Sequence, residues 1–272
     1  MYLKLTADNA KITYVGFRTN LPLLNRNYSA GAKFILNIFN IKNNVKVSVR
    51  NEKDILDFIF DIIDKFKPPK NKNWILSKII ESYQFQHYLL YRKIYDQSVC
   101  GQFFAYDDKV YDYINIAKRH YDCSDVVIHE TIHWLLNNKI LSTFELMWLP
   151  RTTEITFVLM NLLRAGRDLN EFRCNHDVWE QEFFDQGYDY YCMFKNNRDI
   201  PSHYVDKIVE FNLIQAKSNN EKILQSNGAF IAGIIKGILG DRPSLEAVKL
   251  FLHKLMAQTP LEEALRDCIS MA

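Results

Sequence analysis

What the chain lacks narrows the field first. It has no run of about 18 or more uninterrupted apolar residues, so a membrane-spanning helix is not expected. Its five cysteines, Cys100, Cys123, Cys174, Cys192 and Cys268, are odd in number and include no C-x-x-C pair. That pattern argues against a disulfide framework and against a thiolate zinc site, and it leaves reduced thiols as the expectation. The stretch Met1 to Asp8 lacks a basic region followed by an apolar core, so no cleavable secretory signal is visible. Synthesis in the cytosol is expected, and delivery into another cell through a non-classical secretion route is compatible with it. Internal repeats and low-complexity segments are also missing.

Strong charge of either sign is lacking too, since the net formal charge is only +2. The balance is nonetheless uneven: Lys and Arg outnumber Asp and Glu by 16 to 8 over residues 1–99, leaving 18 against 24 in the remainder. Lys65, Lys67, Lys70 and Lys72 surround Pro68-Pro69 and read as a solvated loop, so no nucleic-acid partner is expected. What the chain does have is apolar mass. With 48% hydrophobic and 14% aromatic residues over 272 positions, it can bury a core as one large domain or two small ones.

The most informative segment is His129-Glu130-Thr131-Ile132-His133, an H-E-x-x-H sequence inside an apolar window from Ser124 to Leu136. Ser124 is a suitable N-cap and Asp125 an acidic first-turn residue, while Asn137-Asn138 forms a reasonable stop, so the window is expected to be a helix. Residues four apart share a helix face, which lets His129 and His133 direct two imidazole nitrogens at one metal ion. Glu130 then sits beside the metal as a general base for a bound water. The pattern points to metallohydrolase chemistry with one zinc ion. The alternative is that the histidines are hydrogen-bonded core residues and Glu130 a solvated helix charge.

A catalytic zinc needs a third protein ligand. Residues 149–163 read as a second helix opened by Pro150 and the threonines that follow, and Glu154 lies in its first turn, 21 residues after His133. That separation leaves room for a loop and an antiparallel return. Glu145, His176 and His203 stay open as alternatives, and Glu154 could instead complement its own helix dipole. His176, Tyr188 and Tyr190 are candidate donors to a reaction oxyanion. For the tyrosines, packing is the default. Asp177, Glu180, Glu182, Asp185 and Asp189 read as a solvated helix face.

With these residues in place, the chain resembles the zincin metalloproteases, and the Glu154 spacing resembles their gluzincin branch, whose third ligand is a glutamate on the helix after H-E-x-x-H. The resemblance covers about residues 100–165. Two departures stand out. Val158 occupies the position where many gluzincins carry an aspartate, and the longer metzincin pattern is absent, with Leu136 and Lys139 at its glycine and final histidine positions. Residues 100–106 and 109–117 read as two strands joined at Asp107-Asp108. By the resemblance, an edge strand there would bind an extended protein or peptide substrate by strand addition.

An α+β fold follows, with a small mixed sheet and edge strand ahead of the motif helix and a largely helical C-terminal part. The expected regions are a basic mixed segment at 1–99, a zincin-like core at 100–165 and a helical region at 166–272. Strands are expected at 11–17, 33–39 and 45–49. Helices are expected at 52–66, 74–95, 177–195, 202–217, 220–239, 244–257 and 260–270. A second class of reading is a noncatalytic helical interaction module whose H-E-x-x-H is coincidental or a structural metal site.

Overall fold

In a computed structural model, the described residues are 2–6, 12–17, 22–50, 101–104, 113–116, 124–144, 146–174, 178–201, 204 and 221–270. They form an α+β architecture divided into two compact units, one of residues 1–33 and 42–134, the other of residues 34–41 and 135–272.

The first unit is built on a five-stranded mixed sheet. Its strands are β1 (Tyr2–Thr6), β2 (Ile12–Phe17), β3 (Val45–Arg50), β4 (Gly101–Phe104) and β5 (Tyr113–Ile116), in the order β1-β2-β3-β5-β4. The inner pairs β2/β3 and β3/β5 are parallel, and the outer pairs β1/β2 and β4/β5 are antiparallel. Register places Ile12 opposite Val45, Tyr14 opposite Val47 and Val49 opposite Ile114. All six are buried, whereas Lys46 and Ser48 between them are exposed, so the period-two alternation gives the sheet one covered face. Helix α1 (Pro22–Phe39) makes the crossover from β2 to β3, as a parallel pair requires. Helix α2 (Ser124–Asn137) carries the H-E-x-x-H motif. Both reach the covered face at Tyr14, whose ring meets Tyr28 of α1 edge-on at 4.8 Å and whose hydroxyl lies 3.0 Å from Thr131 Oγ1 of α2. Gly31 lets the two helices approach, since a Cβ there would stand 3.2 Å from Ile128 Cγ1.

The second unit is helical: α3 (Leu149–Arg164), a 3₁₀ turn (Leu169–Glu171), α4 (Val178–Lys195), α5 (Glu221–Asp241), α6 (Leu245–Met256) and α7 (Leu261–Ser270). Its centre is α5, buried without interruption from Gly228 to Leu239. Helices α4 and α5 touch backbone to backbone. A Cβ on Gly187 would lie 1.9 Å from Phe230 O, and one on Gly233 would lie 2.0 Å from Phe184 O. Helix α3 meets α5 at Gly228, whose carbonyl accepts from Thr152 Oγ1 at 2.9 Å. The end of α1 packs here as well, through Phe34 against Phe157 and through Ile38 O, which lies 3.1 Å from His253 Nε2.

One expected strand is overturned. Residues 33–39 are the last two turns of α1, because the buried positions 28, 31, 32, 34, 35, 38 and 39 repeat at helical spacing while Lys33 and Asn37 face water. Strand β1 was not anticipated. The expected helices at 52–66 and 74–95, and 202–217 apart from Tyr204, lie outside the described residues. Among the described residues no helix is long and apolar enough to cross a membrane.

Candidate metal centre

Helix α2 is buried on most of its circumference, by Val126, Val127, Ile128, Ile132, Trp134, Leu135 and Leu136. His129 and His133 occupy the side that is only half-buried. The helix stops where Lys139 enters the left-handed region at φ +54°, closed by Ile140 N–H donating to Leu135 O at 2.9 Å. Its back is fixed in rotation by Thr131, whose hydroxyl donates to Val127 O at 2.6 Å while standing beside the Tyr14 phenol. Burial holds that phenol well above the ordinary tyrosine range, and the hydrogen bond with Thr131 opposes the shift only in part.

With the back of the helix fixed, the histidine rings converge. Their Nε2 atoms lie 3.2 Å apart, with ring centroids 4.9 Å apart. Two nitrogens at about 2.0–2.1 Å from a tetrahedral zinc are separated by about 3.3–3.4 Å, so this pair fits two ligand positions of one ion. The same 3.2 Å is also the length of a hydrogen bond between one imidazole N–H and the other ring's lone pair. Glu130, on the next position of the helix, is only 5% exposed.

Glu154 lies on α3, also 5% exposed, in the helical unit. Its Oε1 accepts from Arg151 Nη1 at 2.5 Å. Arg151 in turn grips Glu180 of α4 with two prongs, Nε to Oε1 and Nη2 to Oε2, the latter at 2.7 Å. Burial opposes the guanidinium charge, yet the Glu154 and Glu180 carboxylates outweigh it and hold Arg151 above its ordinary value. Among the described residues no group of three or more His, Cys, Asp or Glu is gathered so as to hold a metal ion. The structure thus brings His129 and His133 together with Glu130 beside them, and describes Glu154 in its ion pair.

The remaining candidates separate by burial. Tyr190 is fully buried, ringed by Phe194, Tyr204 and Phe230, and burial raises its phenol above the ordinary range; it is a core residue. Tyr188 is half-buried, with the Lys236 ammonium 4.4 Å from its ring centroid. Glu145, His176 and His203 lie outside the described residues. Glu182, Asp185 and Asp189 are exposed as the solvated-face reading expects, but Glu180 is buried and ion-paired, a correction to that reading. Sequence spacing could not flag Arg151 and Glu180, which are 29 residues apart on different helices.

Comparison with protein-family models, with curated proteins and with solved structures returns no match for this chain. The chemistry therefore has to be read from the residues. Among the described residues the buried polar and charged side chains are Glu130, Thr131, Arg151, Thr152, Thr153, Glu154, Thr156, Glu180, Ser226 and Lys236. All but three of them sit on the motif helix or the first two turns of α3. Burying polar groups is costly, so their concentration on these helices singles them out.

Proposed function

We propose that the chain is a zinc-dependent metalloprotease of zincin type that hydrolyses peptide bonds of a protein or peptide substrate. The observation that carries the reading is the convergence of His129 Nε2 and His133 Nε2 at 3.2 Å on the open side of a buried helix, with buried Glu130 beside them. The sheet lends support: among the described strands β4 lies at an edge, and the antiparallel β4/β5 pair precedes the motif helix, as the resemblance implies; that helix also meets the sheet at Tyr14. His129 and His133 are the proposed ligands, and Glu154 is the proposed third on the strength of the gluzincin-like spacing.

When bound, zinc supplies an acidified water and a Lewis acid for the substrate carbonyl. Glu130 accepts the proton from the attacking water and returns it to the leaving amine. Its side chain is 5% exposed, so it stands beside the histidines with little competition from bulk solvent. The outer side of β4, at the end of the sheet among the described strands, would align an extended substrate by main-chain hydrogen bonds, as strand addition does elsewhere.

The test is metal content of the purified chain beside its His133→Ala and Glu130→Gln variants. Near one zinc per chain is expected in the unaltered protein and in Glu130→Gln, and none in His133→Ala. Hydrolysis of a peptide library should fall by about 10²–10⁴-fold in Glu130→Gln, which loses only the proton acceptor. Absence of zinc after reconstitution at neutral pH would instead favour the second reading, a noncatalytic interaction module in which the 3.2 Å contact is a direct histidine–histidine hydrogen bond.

A further inference from the structure

We propose that Lys236 is a nucleophilic amine of the helical unit, a covalent site for small aldehydes that is independent of the histidine pair. Lys236 stands near the end of α5 and is 7% exposed. Its neighbours Gly233 and Gly237 are bare because α4 lies against α5 there. The ammonium is 4.4 Å from the ring centroid of Tyr188 and 5.7 Å from that of Phe184, two α4 residues one turn apart. Rings attract a cation, yet they do not replace a carboxylate as acceptors for its three N–H groups. Among the described residues no carboxylate lies within ion-pair distance of Lys236, whereas Lys195 is paired with Asp241, Lys249 with Glu246 and Lys254 with Asp267. Burying an ammonium without such a partner favours the neutral amine. Burial accordingly lowers Lys236 from the ordinary lysine range, Arg173 adds to the lowering, and Asp185, Asp168 and Cys192 oppose it without reversing it. The neutral amine is the attacking form, and a lysine withdrawn from water against apolar walls supplies it at neutral pH. A lysine that only covered the rings with its stem would send its ammonium out to water. With so little of the residue exposed, the reagent that fits is a small molecule. The step needs no redox partner: the nitrogen lone pair attacks the carbonyl carbon, a proton passes from nitrogen to oxygen, and water leaves as the C=N bond forms.

The test is labelling of the full chain with substoichiometric salicylaldehyde at neutral pH, trapped with cyanoborohydride and mapped by peptide mass spectrometry. Exposure alone ranks the lysines against Lys236, which is buried while Lys195 is exposed and Lys249 and Lys254 are half-buried. Lys236 is nevertheless expected to carry severalfold more label than any of these three. Gly240→Glu supplies a carboxylate one turn further along α5, where a Cβ meets nothing within 4 Å, and should bring Lys236 down to the level of the other three. Gly240→Ala should leave it in the lead. Label no greater at Lys236 than at Lys195, Lys249 and Lys254 overturns the proposal. So does a lead that survives Gly240→Glu, because the lack of a carboxylate is then not its cause. Should Gly240→Glu not fold, the pH dependence of acetylation by acetic anhydride in the unaltered chain decides instead. Lys236 should reach half its limiting rate at a lower pH than the three ion-paired lysines, and an equal or higher pH overturns the proposal.

Discussion

Burial, reinforced by the Glu180 charge, pushes the Cys174 thiol up to about 12, and burial together with Asp267 pushes Cys268 up to about 11. Because the thiolate is the reacting form, both should resist iodoacetamide at pH 8 in the folded chain and label readily in denaturant, which peptide mass spectrometry will show. Linkage gives the sign of the stability effect. Between the ordinary thiol value of 9.0 and these raised values, the folded chain keeps protons that the unfolded chain has released, so stability falls as pH rises through that window. A second outcome concerns Tyr14: Tyr14→Phe removes the hydroxyl that meets Thr131 and should cost about 1 kcal/mol in denaturant unfolding, with α2 still formed. At this scale the sequence was partly legible. The i, i+4 rule is enough to bring His129 and His133 onto one face. The grip of Glu180 on Arg151 is tertiary, and in the linear sequence Glu180 is indistinguishable from the exposed acids Glu182, Asp185 and Asp189 around it.

The elements carry a sharper stability prediction. Gly187→Ala and Gly233→Ala each drive a Cβ into a carbonyl oxygen of the facing helix, at 1.9 and 2.0 Å, and neither backbone can yield without moving the whole helix. A loss of about 1–3 kcal/mol or more is expected for each. Gly240→Ala is the control. A Cβ there meets nothing within 4 Å, so helix propensity should make it neutral or stabilising by up to about 1 kcal/mol in the same thermal or denaturant melts. The helices α2 to α7 were legible because they are periodic and punctuated by Pro150, Pro201, Gly240, Pro243 and Pro260. Helix α1 was not: its final Phe34-Ile35-Leu36 run suits a buried strand as well as a helix, and only the spacing back to Tyr28 decides. Strand β1 is five residues long, too short for alternation to speak clearly.

For the whole molecule, the α+β class followed from strands gathered early in the chain and helices late. The partition into units followed from contacts that no composition shift marks, since the boundary at residues 134 and 135 falls inside α2. If zinc binds the folded chain only, it stabilises by mass action. At 100-fold excess over Kd this amounts to about 2.7 kcal/mol, or roughly 5–10 °C for a chain of this size. Differential scanning fluorimetry should show that shift in the unaltered protein and not in His133→Ala. A shift of equal size in both would place the stabilising zinc elsewhere. The α4/α5 seam has one further consequence. Where two main chains touch, no neighbouring side chain can be trimmed to make room, so Gly187 and Gly233 are the positions least free to drift over evolutionary time, and Gly237, where a Cβ would stand 2.2 Å from the Tyr191 ring, follows them. A search keyed to H-E-x-x-H, a glycine 54 residues beyond its second histidine and a later G-x-x-x-G should therefore find kin of this chain after ordinary similarity has faded.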